Sequence, residues 1–172
     1  MREIVIVAFP GVQSLDVAGP AEVFAAASGH YRVRVAAVQA DAPLATGSGF
    51  AIVPEVALDD LREPIDTIVV AGGTGTRDAL ADERLIPWLI DAAPRARRVA
   101  SVCSGAFLLA RAGLLDGRRV TTHWQWCDSL ADAFPRITVD PDPILALAPE
   151  LPLKPPAPST HTELAPAWTT AR

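Results

Sequence analysis

The chain predicts an α/β domain built on a parallel sheet that is covered on both faces. Three observations predict it. Short β-branched runs alternate with helix-like stretches along the chain, as in Glu3–Ala8 (EIVIVA), Asp66–Ala71 (DTIVVA) and Arg98–Val102 (RVASV). The first two runs are apolar without a polar alternate face, the mark of strands buried on both sides. And 172 residues, half of them hydrophobic and a fifth charged, suit one domain with a proper core.

The elements follow in order. After the first strand, Gly19-Pro20 opens a helical stretch, AEVFAAAS, that closes at Gly29; proline suits a first helical turn and glycine a stop. Tyr31–Val38 alternates as a second strand. Pro43–Val53, with Gly47 and Gly49 between apolar stretches, reads as a hairpin. Asp66–Ala71 is a further strand, ending in Gly72-Gly73. Arg84–Ala93 reads as a helix with Trp88, Leu89 and Ile90 on or near its inner face. Arg98–Val102 leads into Cys103, and Ala106–Ala112 continues as a helix closed by Gly113. Arg118–Thr122 is a last strand and Trp126–Phe134 a last helix. Strands separated by helices of this length imply parallel pairing.

Residues 1–144 thus form the expected domain, and 145–172 a different segment. Eight of the sixteen prolines fall in Pro141–Arg172, with the single lysine, Lys154, and no glycine follows Gly117. Proline at that density opposes both helix and strand, so the segment reads as a disordered, proline-rich tail. The resemblance named below implies that this switch near residue 145 is a truncated or frame-shifted end, with the last elements of the fold missing.

Net charge is −5, and no basic run marks a nucleic-acid footprint. No apolar stretch approaches a membrane span, and the start, MREIVIVAFP, lacks a cleavage pattern. The expectation is a cytoplasmic protein. Two cysteines, Cys103 and Cys127, do not make a disulfide framework.

In an open parallel sheet, ligands sit beyond the carboxyl ends of the strands. Four segments should reach that edge: Pro10–Asp16, Gly72-Gly73, Cys103, and Thr121-Thr122-His123. A cysteine between strand and helix is held in a constrained, partly exposed turn, near helical N–H groups that favour thiolate. Gly105 permits close backbone approach. Gly72 and Gly73 would leave amides free for an oxyanion or ligand oxygen. Asp16 could hydrogen-bond the sulfur or position a water. Equally, Cys103 could be a small buried hydrophobe. His123 could be a general base or a structural, hydrogen-bonding residue, and the resemblance named below implies the structural role. Cys127 and the tryptophans Trp88, Trp124 and Trp126 read as packing or interface. Arg95, Arg97 and Arg98 read as a solvated helix end. His30 and His161 have no spacing partner, and neither a metal nor a cofactor is expected.

The stretches FPGVQSLDVAGPAEVF, DTIVVAGG and RRVASVCSGAFLLARAGLLDGRRVTTHW resemble the DJ-1/PfpI superfamily, over about residues 1–144. The resemblance implies a flavodoxin-like sandwich, class I glutamine amidotransferase-like, with Cys103 on a nucleophile elbow. Within the superfamily the chain looks most like the amino-terminal sensor domain of GlxA-like AraC-family transcription regulators, with isocyanide hydratases related. Ser104 stands where PfpI-type proteases have His, which argues against peptidase activity. The implied function is a sensor domain without its helix-turn-helix, binding an unknown small molecule at Gly72, Gly73, Cys103, Ser104, Gly105 and His123. The alternative is a hydratase with Cys103 as nucleophile and Asp16 as acid-base group. An intact protein of this kind is expected to be a homodimer, and this chain alone is not expected to bind DNA.

Overall fold

A computed structural model of the chain describes residues 1–27, 29–144 and 146. The proline-rich tail expected from Leu145 onward lies, but for Ala146, outside the described residues, and the expectation that the fold lacks its last elements falls on those same residues.

The first strand, β1 (Arg2–Val7), leads through Pro10–Gln13 into α1 (Ser14–Ala26) and then β2 (Tyr31–Ala37). A small antiparallel hairpin follows, β3 (Leu44–Ala45) and β4 (Ala51–Ile52), and then β5 (Val56–Ala57). Next come β6 (Thr67–Val70), the short α2 (Thr76–Leu80), α3 (Leu85–Ala92) and β7 (Arg98–Ser101). A 3-10 turn, Cys103–Gly105, runs straight into α4 (Ala106–Arg111). The described chain ends with β8 (Arg119–Val120), α5 (Cys127–Ala133) and β9 (Thr138–Val139).

Five strands form one parallel sheet in the order β5-β2-β1-β6-β7. The register sets Ile4 beside Val33 and Thr67, and Val70 beside Ser101. β1 is central, and Ile4, Val5, Ile6 and Val7 are all fully buried. Successive strand residues point to opposite faces, so both faces of this strand are covered. Burial of such side chains is worth about 1.5–3 kcal/mol each, which makes β1 the anchor of the sheet.

Three sequence expectations change. The first helix starts at Ser14, not at Gly19-Pro20, and Pro20 lies inside it. Gly19 explains the tolerance: without a Cβ it relieves the clash that pushes a residue before proline out of the helical region. Second, Arg118–Thr122 does not join the main sheet. Its core, β8, pairs in parallel with β9 in a separate two-stranded ribbon. Third, the Arg95–Arg98 cluster is not simply solvated: Arg97 grips Asp66 with two hydrogen bonds of 2.6 and 2.7 Å. The elements α2, β5 and β9 carried too few residues to read from the sequence.

Candidate functional site at the Cys103 turn

The carboxyl ends of β1, β6 and β7 place three loops side by side. Early onset of α1 is what brings Asp16 into the site, because it puts that residue in the helix's first turn. Asp16 is buried, and its Oδ2 accepts the Gly72 N–H at 3.1 Å. The Gly72 carbonyl in turn accepts Gln13 N–H at 2.8 Å. The loop after β6 is thereby clamped to the loop after β1 through both polar groups of one peptide-bearing residue.

Cys103 is half-buried and has φ 54°, the single left-handed non-glycine residue among those described. Such a conformation is costly for a residue with a Cβ and persists only where its surroundings impose it. They do so from two sides. The N–H of Val102 donates to Val70 at 2.9 Å. On the other side Ser104 is buried, and its hydroxyl closes a ring with the loop after β6. Gly73 N–H donates to Ser104 Oγ at 3.0 Å, the Ser104 and Thr76 hydroxyls meet at 2.9 Å, and Thr76 Oγ1 donates to the Gly73 carbonyl at 2.8 Å. Gly105 is required by space, since a Cβ there would lie 2.3 Å from the Val70 carbonyl oxygen.

Two expectations are corrected. The Gly72 and Gly73 amides are not free for an oxyanion: one donates to Asp16 and the other to Ser104. The Ser104 hydroxyl is likewise engaged inside the protein. Nor does the turn favour thiolate. Burial, and then the negative charge of Asp16, push the Cys103 thiol above its ordinary range, outweighing the Ser104 amide that favours the ionised form. Asp16 is raised as well, chiefly by burial; the Gly72 amide, the Cys103 thiol and the charge of His123 pull the other way. Both groups are thus pushed toward their protonated forms, the thiol and the carboxyl group alike, with burial the largest cause for each.

His123 is drawn into the same edge. Its Nδ1 accepts the Gln125 N–H at 3.3 Å, and its ring stacks on Trp124 with centroids 5.6 Å apart. That is the structural role the sequence favoured, although the imidazole stays near enough to Asp16 to act on it by charge. Cys127 is buried, its Sγ 3.8 Å from the His123 carbonyl oxygen. Trp88 is core, with Nε1 donating to the Leu58 carbonyl at 2.9 Å, whereas Trp124 is 73% exposed. Thr122 reaches the edge as the sequence expected, but with a contact the sequence did not foresee: its hydroxyl donates to the Cys103 carbonyl at 2.7 Å. A broad depression lined by Glu3, Glu63, Asp66 and Arg97 lies at the opposite, amino-terminal edge of the sheet, away from Cys103.

A parallel flavodoxin-like sheet with a left-handed cysteine at a strand-to-helix turn defines the class of fold and site. The chain belongs to the DJ-1/PfpI family, whose pattern matches residues 2–140. It is 43% identical over 141 residues to an uncharacterized protein in the cpoL 5' region of Streptomyces lividans, covering 78% of this chain and 96% of that one. It is 38% identical over 123 residues to isonitrile hydratase of Pseudomonas putida, covering 71% of this chain and 52% of the hydratase. To the HTH-type transcriptional regulator GbdR of Pseudomonas aeruginosa it is 35% identical over 91 residues, 53% of this chain and 24% of the regulator. A ThiJ/PfpI family protein from Pseudomonas syringae superposes with a TM-score of 0.73 at 32% identity, over 80% of this chain and 56% of that one. The chain is thus related both to regulators and to isonitrile hydratase, and spans about half of the hydratase and a quarter of the regulator. No helix among the described residues is long and apolar enough to cross a membrane.

Proposed function

We propose that this domain binds a small molecule at the Cys103 turn, as the ligand-sensing domain of a transcription regulator. One observation carries the reading. The donors that would stabilise an oxyanion, the Gly72 and Gly73 amides, are engaged inside the protein, and burial pushes the Cys103 thiol above its ordinary range. Such a site offers recognition groups — an S–H, a carboxyl group and the His123 imidazole — without a preformed nucleophile beside an oxyanion hole. Cys103, Asp16 and His123 are the ligand-contacting groups, with Gly72, Gly73, Ser104 and Gly105 forming the backbone wall. The domain acts as a homodimer.

The bearing of buried Asp16 on the Cys103 thiol, together with the 38% identity to isonitrile hydratase, favours a second reading, isonitrile hydration. Asp16 takes the thiol proton, the sulfur bonds to the terminal carbon of R–NC, and that carbon receives the proton, giving the thioimidate R–N=CH–S–Cys. Water adds to the same carbon, the C–S bond breaks, and R–NH–CHO leaves with the thiol restored.

One experiment separates the two. The protein is incubated with a simple alkyl isonitrile, N-formamide is followed by mass spectrometry, and melting is measured against a panel of small metabolites. The sensor reading expects no formamide above a Cys103→Ala control, and a metabolite that raises the melting temperature of the wild type but not of Asp16→Asn. Formamide production lost in Cys103→Ala overturns it in favour of the hydratase.

A further inference from the structure

We propose that Thr122 is a positioning residue for Cys103, holding the cysteine peptide in the left-handed conformation that brings its sulfur to Asp16. The inference rests on the site reading above and adds a residue from outside the main sheet.

The turn has three anchors. The peptide before Cys103 is fixed by β6, through Val102 N–H to Val70. The residue after it is fixed by the Ser104–Thr76–Gly73 ring. Neither holds the carbonyl of Cys103 itself, whose direction sets ψ at the strained residue. That carbonyl accepts the Thr122 hydroxyl at 2.7 Å, a short, strong geometry. Thr122 is suited to the task because it is tethered from behind. Its neighbour Thr121 donates its hydroxyl to the Pro143 carbonyl at 3.0 Å. The ribbon beneath is laced by Thr138 N–H to the Arg118 carbonyl at 2.9 Å and Asp140 N–H to the Val120 carbonyl at 2.8 Å. Two adjacent threonines therefore join the cysteine peptide to the segment that follows β9.

The consequence is chemical. Asp16, from α1, is the charged group that bears on the thiol, and His123, from the end of the β8 segment, bears on Asp16. If the Thr122 hydroxyl is removed, the Cys103 peptide relaxes toward the ordinary region. The sulfur then leaves both its cover and the carboxylate. Those are the two causes that keep the thiol protonated, so the thiolate fraction rises.

The test is the pH dependence of iodoacetamide alkylation at Cys103, resolved from Cys127 by peptide mass spectrometry, on the full chain. Thr122→Val removes the hydroxyl and Thr122→Ser retains it. Ile137→Val, at a buried position beside β9, loosens the same region without touching the hydrogen bond. Circular dichroism checks folding first, and Thr122→Ala replaces the valine variant if that does not fold. The expected result is a lower half-point and alkylation about threefold or more faster at pH 8 in Thr122→Val, with the other two variants like wild type. An unchanged profile in folded Thr122→Val overturns the proposal, and so does an equal change in Ile137→Val. If wild-type Cys103 is as inert as Cys127, the site reading fails. Acceleration in Thr122→Val alone would then still support the positioning role, and inertness in both would end it.

Discussion

Asp16 and Gly72 stand 56 residues apart in the chain and are joined by a hydrogen bond from the glycine N–H to Oδ2. That bond ties the first turn of α1 to the end of β6, and it offsets only part of the cost of burying a carboxylate. Burial dominates, and the folded carboxyl holds its proton more tightly than the unfolded one.

The sign of the pH effect follows. A carboxyl raised by folding contributes stability that is fully present below its unfolded value, about 3.8, and is lost as pH climbs through the folded value. Asp16→Asn keeps the shape and an acceptor for Gly72 but has no charge to desolvate. It should melt roughly 2–4 °C above wild type at pH 7.5, for a difference on the order of 1 kcal/mol. The gap should close in scans below pH 3.8. A wild type that melts higher at pH 7.5 would mean that the hydrogen bonds to the ionised carboxylate outweigh its burial.

Cys103 should be the alkylated cysteine and Cys127 the protected one, since the first is half-buried and the second only 5% exposed. The half-point for Cys103 should lie above 9.0, the ordinary thiol value, because burial and the Asp16 charge both resist ionisation. Asp16→Asn removes one of those causes. Alkylation at pH 8 should then quicken by about threefold to tenfold. Slower alkylation in Asp16→Asn would instead show that the carboxylate acts as a base toward the thiol.

Much of this was legible in the sequence, for identifiable reasons. Runs such as EIVIV and TIVV are short, β-branched and bounded by turn residues, which fits strands buried on both faces, and their alternation with helical stretches implied the sheet and its carboxyl edge. The cysteine turn was legible because Gly105 and the small Ser104 break an apolar run at one point. What failed were the claims about individual polar groups. Whether the Gly72 amide is free depends on where Asp16 sits, and that depends on α1 starting six residues before its proline. A proline in the fifth position or later reads as a helix start unless a glycine before it is weighed. Thr122 could be placed at the edge, but its contact could not be read, because its partner is a backbone carbonyl 19 residues away, in the turn that follows β7. The two-residue strands β5 and β9 lie below the length at which periodicity can be seen, and the strand read at Arg118–Thr122 could not be assigned to its own ribbon without its partner β9.

Gly105→Ala tests how closely the turn sits on β6. A methyl group there would meet the Val70 carbonyl oxygen at 2.3 Å and that of Ala71 at 2.8 Å. Backbone cannot step aside as a side chain can, so the loss should be about 3 kcal/mol or more, measured by urea denaturation. A variant within 1 kcal/mol of wild type (roughly the scatter of ordinary substitutions) would show that the turn lifts off the strand with ease.

The outer face of α1 bears on self-association. Leu15 is 70% exposed and Val23, two turns further on, is 71% exposed; Ala18 and Ala26 are exposed on the same helix, with Glu22 among them. The outer stripe of a helix on a monomer is normally polar, so an apolar stripe here points to a covering surface. In a homodimer with two-fold symmetry the same stripe covers itself. Light scattering after gel filtration should give twice the chain mass for wild type at tens of micromolar, on the scale of ordinary dimer affinities. Leu15→Glu with Val23→Glu should give a single chain mass. Both positions are exposed within the monomer, so the double variant should remain folded by circular dichroism. A wild type that runs as a single chain throughout that range would remove the dimer, and a double variant that still doubles would move the interface off α1.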